Sequence, residues 1–241
     1  MHFFGERVLR EQRTREAVLH EAIEDVRTTP PTADVERQVD EDWLEMFARH
    51  AETKTNAEVR TYFARVLAGE IRKPGSFSPE TIDVLAKLSP QVGQLFQRLC
   101  SITADIPMIG LPVILTGPFG SAGSNGLAPI GFPYDLLCRL QDAGLVRSEL
   151  NTTYTMPTLA LQRIVIGGQA LQFRIPTAIS ETEGSDVVER GLHGLFKQTP
   201  FKTVTLTAAG VELRRIVHMT PNETYIAKFV EWATKLGFEA E

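Results

Sequence analysis

Three carboxylates in succession, Asp40, Glu41 and Asp42, and one histidine between glycines, His193 in G-L-H-G, are the residues whose types and spacing come nearest to chemistry. Grouped carboxylates are hard oxygen donors that can hold a divalent cation. A histidine in a loop is the usual general base near neutral pH. The carboxylates also fit a helix start, where negative charge is favoured by unpaired backbone N–H groups. Trp43, Leu44 and Phe47 follow at once and make the helix start the stronger expectation. The other histidines, His2, His20, His50 and His218, are scattered, and none forms H-E-x-x-H or a pair at metal-ligating spacing. No G-x-S-x-G elbow is present. G-P-F-G-S-A-G-S-N-G (Gly117–Gly126) has the glycine content of a phosphate cradle. A P-loop needs Gly-Lys-Ser/Thr opening a helix, and a dinucleotide fingerprint needs G-x-G-x-x-G after a strand. Neither is met, so a mobile surface loop is expected there. Cys100 and Cys138 are too few for a thiolate metal site and are expected as free thiols buried on apolar-striped helices. The expectation is no catalytic residue, no metal site and no cofactor.

The elements that would position any site are clearer. The chain has 241 residues, 43% hydrophobic and 23% charged, enough for one large domain or two modest ones. Its formal net charge of −5 argues against a partner whose binding depends on neutralising many phosphates. The start, M-H-F-F-G-E-R, has no apolar run of signal-peptide length. The longest apolar stretch, Ile106 to Gly117, is too short to span a bilayer and contains Pro107 and Pro112. A cytoplasmic protein without membrane contact is expected.

Patterning is strongest from Asp42 to Leu99. Thr55-x-x-Glu58 has the spacing of a capping box. Val59, Tyr62, Phe63, Val66, Leu67 and Ile71 then form one helical stripe, with Arg60, Arg65 and Arg72 off it and expected in solvent. Pro74-Gly75 stops this helix, and Ser78-Pro79 and Ser89-Pro90 each restart one. Gly5 to Arg27 reads as a helix docked on the domain, with an oligomerising or partner-binding face as its functional alternative. The breaker Thr28-Thr29-Pro30-Pro31-Thr32 lets it sit apart. A second helical region runs from Asp34 to Ala51.

The second half changes character. Phe132-Pro133 opens a helix striped by Leu136, Leu137, Leu140 and Ala143 and closed by Gly144. An extended segment from Leu145, a turn at Asn151-Thr152 and a strand through T-Y-T-M follow. Ala170–Ile175 and Phe201–Thr207 alternate as strands do, and Ser180 to Gly194 is a polar loop or short helix. Helices are expected from Ala208 and, through a capping box at Thr220-Pro221-Asn222-Glu223, over the tail. The fold class expected is mainly α (α+β): an N-terminal helical bundle followed by a winged-helix-like C-terminal half with a small antiparallel sheet. The expected segments are residues 1–32 (helix and linker), 33–104 (helical domain) and 105–241 (winged-helix-like domain).

D-E-D-W-L (Asp40–Leu44), L-A-G-E-I (Leu67–Ile71), K-P-G-S-F-S (Lys73–Ser78) and L-A-K-L-S (Leu85–Ser89) resemble an uncharacterised bacterial family, domain of unknown function 2806. The resemblance is strongest over residues 40–100. It is weaker at L-T-A-A-G-V-E-L (Leu206–Leu213) and T-P-N-E-T-Y-I (Thr220–Ile226). It brings no catalytic residues with it, and it implies a prokaryotic or mobile-element source. Loosely similar families lie near phage-defence genes, which gives the expected setting.

The function expected first is a non-enzymatic regulatory or scaffolding protein acting through a protein partner or as a homo-oligomer. A nucleic-acid-binding winged-helix regulator comes second, since Asp135 and Asp142 beside Arg139 make a poor face for phosphates. A metal-dependent hydrolase or nuclease effector built around Asp40–Asp42 or His193 comes third. The candidate interaction residues are Val18, Leu19, Ile23, Trp43, Arg139, Arg214 and Arg215.

Overall fold

The computed structural model describes residues 2–31, 38–147, 149–174 and 198–240. Its α-helices among these are α1 (His2–Thr28), α2 (Glu41–Ala51), α3 (Ala57–Arg72), α4 (Pro79–Lys87), α5 (Pro90–Cys100), α6 (Tyr134–Asp142), α7 (Ala208–Arg214) and α8 (Glu223–Lys235). The strands are β1 (Ala104–Asp105), β2 (Pro112–Leu115), β3 (Thr152–Pro157), β4 (Arg163–Ile166), β5 (Gln169–Arg174), β6 (Gln198–Thr205) and β7 (Glu239–Ala240). The fold is mixed α+β. Packing divides the chain into two units: Met1–Gln94 with Ala143–Leu145 and Thr207–His218, and Leu95–Asp142 with Val146–Leu206 and Met219–Glu241.

In the first unit the helix starts are fixed by side-chain caps. The Trp43 N–H donates to Asp40 Oδ1 at 2.9 Å, so the first acid of the D-E-D run is a cap. Asn56, one residue past the expected Thr55, receives the Val59 N–H at 3.1 Å. Asparagine caps at least as well as threonine, and its capping puts Glu58 at N2, where the reciprocal bond of a capping box is not made. Ser78 and Ser89 cap α4 and α5 as their Ser-Pro pairs predict. Of the helix expected from Asp34, the part beginning at Glu41 is present, and residues 34–37 lie outside the described residues.

Thr14, Val18 and Ala22, four residues apart, are buried where α1 runs along α3. Burying a valine side chain contributes about 1.5–3 kcal/mol, so α1 is a packed member of this unit. Trp43 stacks on Phe47 at 5.2 Å, and Phe47 meets Phe63 at 5.5 Å. Ile82 and Leu85 of α4 are fully buried.

In the second unit the strand order is β3-β6-β2-β1-β4-β5-β7, every neighbouring pair antiparallel. The apolar stretch from Ile106 contributes β2, buried along its length between β6 and β1, with Pro112 at the strand start where a missing N–H is tolerated. Gly167 and Gly168, both at positive φ, turn β4 into β5. A Cβ on Gly167 would stand 2.2 Å from the Ser101 carbonyl oxygen.

Helix α8 is capped by Asn222, two residues past the expected Thr220, because the asparagine carbonyl accepts the Tyr225 N–H at 2.9 Å. Its Tyr225 hydroxyl donates to the Leu115 carbonyl of β2 at 2.8 Å. Its Phe229 lies against Phe173 of β5, and its Trp232 meets Phe201 of β6 edge-on. The Gly117–Gly126 segment, expected as a surface loop, is a loop containing a short 3-10 turn. Phe119 stacks on Tyr225 at 5.6 Å, and Ala122 is fully buried in a 3-10 turn. Phe119 and Ala122 among the glycines anchor it. The expected loop at residues 180–194 lies outside the described residues.

Candidate functional site

The backbone of the Lys73–Ser78 turn in the first unit is held by side chains from several helices. Glu70, in the last turn of α3, is only 2% exposed. Its carboxylate receives the backbone N–H groups of Gly75, Ser76 and Phe77, the latter two at 3.0 Å. An acid in the last turn of a helix opposes the macrodipole, and these three charge-assisted bonds offset that. Gly69 makes room for the turn: a Cβ there would lie 2.6 Å from the Phe77 ring. The Trp43 indole N–H donates to the Phe77 carbonyl at 2.8 Å. Glu212 of α7 receives the Ser78 N–H at 2.7 Å and the Thr81 hydroxyl at 2.6 Å. W-L, L-A-G-E, K-P-G-S-F-S and G-V-E-L are thus parts of one interlocked assembly.

A cleft of about 390 Å³ opens beside this turn. Arg65, Arg72 and Arg215 line it with Asp25, Ser76 and His218. Each guanidinium is anchored on backbone oxygen. Arg65 donates to the Ile216 carbonyl at 3.0 Å, and Arg215 to that of Ser76 at 3.1 Å. Arg72 donates to the carbonyls of Asp25 and Thr29 at 2.6 Å each and also to the Asp25 carboxylate. Arg72 therefore closes the C-terminal end of α1, where unpaired carbonyls favour a cation. Arg65 and Arg72, expected in solvent, are half-buried. They stand off the apolar stripe, but their long stems carry the guanidinium to carbonyl groups.

The family comparison takes in both features, matching residues 5–230 to the model described as "Protein of unknown function (DUF2806)". The chain belongs to that family. No curated protein and no solved structure matches it. The span matched to DUF2806 contains the turn, its contributors Trp43, Glu70 and Glu212, and the arginine cleft.

Of the residues singled out from the sequence of this DUF2806 member, Val18 and Trp43 are buried, whereas Leu19 and Ile23 are exposed. Arg139 is exposed on α6 between two exposed acids, Asp135 and Asp142. Arg214 is half-buried, and Arg215 is at the cleft. Asp40 is a cap, while Asp42 belongs to a shallow surface hollow with Glu45, Met46, Arg49 and His50. His193 lies outside the described residues. Cys100 is buried as expected and Cys138 is half-buried. Among the described residues no three His, Cys, Asp or Glu side chains gather as a metal site, and no helix is long and apolar enough to cross a membrane.

Glu70, Glu212, Arg65 and Arg72 were not legible as site residues. The available signals were Glu70 against the macrodipole, and Arg65 and Arg72 spaced by seven on one helical face.

Proposed function

We propose that this protein acts by contact, as a regulator or scaffold that joins a second copy of itself through the outward face of α1. The observation that carries it is an apolar stripe on that face: Val8, Leu9, Leu19 and Ile23 are 42%, 58%, 49% and 39% exposed. At helical spacing they fall within an arc of about 100°, away from the face of Thr14, Val18 and Ala22 that packs on α3. Charge supports self-pairing. Residues 2–15 hold four arginines against two glutamates, and residues 16–28 hold four carboxylates against one arginine. This polarity opposes the macrodipole; Asp25 and Glu21 are taken up by Arg72 and Thr61 of α3, which leaves Glu16 and Glu24 toward solvent in the acidic half. The polarity suits two copies lying antiparallel, centred near Arg15 and Glu16, with Val8 of one beside Ile23 of the other.

Sedimentation equilibrium of the full chain tests this. A dimer is expected that dissociates in Leu19→Glu, with the helical circular dichroism kept. A wild-type monomer throughout the micromolar range contradicts it.

At finer detail we read the helices of the first unit as a bundle and the α6–β3–β6 region as winged-helix-like. In support, a bridge pairs Val146 with Leu206, and β3 pairs antiparallel with β6. Nucleic-acid binding by that region stays the second reading, since Arg139 stands between two acids. The contact role does not depend on a phage-defence setting.

A further inference from the structure

We propose that the arginine cleft of the first unit binds a small molecule through a phosphoryl group. Three guanidiniums line the cleft against one carboxylate, Asp25, in a chain whose overall charge is negative. Each arginine spends part of its donor set on a backbone carbonyl, which fixes its plane. Those bonds leave Nε and Nη2 of Arg65, Nη1 of Arg72, and Nε and Nη2 of Arg215 outside them. Pre-anchored guanidinium forks, with donors to spare, suit the several oxygens of a phosphoryl group, and little side-chain freedom remains to be lost on binding. Arg65 and Arg72 come from α3 and Arg215 from the segment after α7, so the donors approach from two elements. Three positive charges against one negative match a dianion better than a single carboxylate. The volume of about 390 Å³ falls in the range of small-ligand pockets.

Asp25 gives this site a signature that a purely structural ion pair lacks. Its carboxylate already occupies Arg72 and repels an incoming anion. Removing its charge favours the ligand, whereas removing Arg215 weakens it.

Titration calorimetry of the full chain with inorganic pyrophosphate, and separately with inorganic phosphate, tests the proposal. Saturable binding of at least pyrophosphate is expected. Arg215→Gln, at an exposed position, is expected to weaken it about tenfold, the worth of one charge-assisted bond. Asp25→Asn is expected to tighten it severalfold. No saturable heat with either anion overturns the proposal, as does wild-type affinity in Arg215→Gln or an absence of tightening in Asp25→Asn. Tighter binding of a short DNA duplex at the same arginines overturns the small-molecule assignment. Arg215→Gln leaves the sedimentation behaviour of α1-mediated pairing unchanged, so the two proposals fail separately.

Discussion

Glu70→Ala takes from the backbone N–H groups of Gly75, Ser76 and Phe77 the carboxylate that receives them. Phe77 is buried, so its N–H is left unpaired at a cost of about 1–3 kcal/mol. Gly75 is exposed and Ser76 half-buried, so water replaces the carboxylate and each loses nearer the net value of about 0.5–1.5 kcal/mol. The sum is about 2–6 kcal/mol, a large share of the roughly 5–15 kcal/mol that stabilises a typical domain. Glu70→Gln keeps the shape but turns an NH2 toward N–H donors, and falls between wild type and alanine. Trp43, hydrogen-bonded to the Phe77 carbonyl, is a reporter inside the same unit. A Trp232→Phe background makes it the sole tryptophan, which confines the signal to one cooperative unit. With a urea slope near the middle of the usual range of about 1–3 kcal/mol/M, the midpoint for Glu70→Ala falls by roughly 1–3 M. A shift below about 0.3 M with an unchanged slope would show that the carboxylate is a solvated surface group and that the interlocked turn is misread.

Two further outcomes follow from packing and titration. Gly69→Ala raises helix propensity by about 1 kcal/mol yet pushes a methyl into the buried Phe77 ring at a cost of about 1–3 kcal/mol, so a net loss of up to about 2 kcal/mol is expected; a more stable variant in urea melts refutes the close approach. Burial raises the Tyr225 phenol above its ordinary value of 10.0. A group raised in the folded state stabilises fully below its unfolded pKa and ceases to as pH rises through and beyond it. Urea midpoints of the wild type should therefore decline above pH 10.0, with Tyr225→Phe sparing that part of the decline while losing about 1 kcal/mol of hydrogen bonding at neutral pH; parallel pH curves for the two proteins contradict it.

Helices and their buried stripes were legible because their signal is local. Ser78-Pro79 and Ser89-Pro90 name their own caps, and Phe63, Ile82 and Leu85 lie in the core as their spacing predicts. Cap positions were less so, because Thr55 and Asn56 stand side by side with similar capping strength and only geometry chooses between them. Sheet order was not legible. β1 is two residues long, and β2 pairs with β6 some 90 residues away. Gly167-Gly168 did carry a hairpin signal for β4 and β5. The return of Thr207–His218 to the first unit, bringing Glu212 and Arg215 to the turn and cleft, has no local signature at all. Polar groups were read as exterior, yet Glu70 is buried, because a carboxylate that collects backbone donors looks in sequence like any other glutamate.

Disulfide trapping on the outward face of α1 probes the contact role most directly. In a Cys138→Ser background, with Cys100 buried, Glu16→Cys places a thiol near the centre of the antiparallel pair. Val8→Cys places it near one end, roughly 20 Å along the helix axis from its counterpart at about 1.5 Å per residue. Mild oxidation of the full chain is expected to give a covalent dimer with Glu16→Cys and none with Val8→Cys. No dimer from either position, or a dimer from Val8→Cys alone, contradicts antiparallel pairing through this helix.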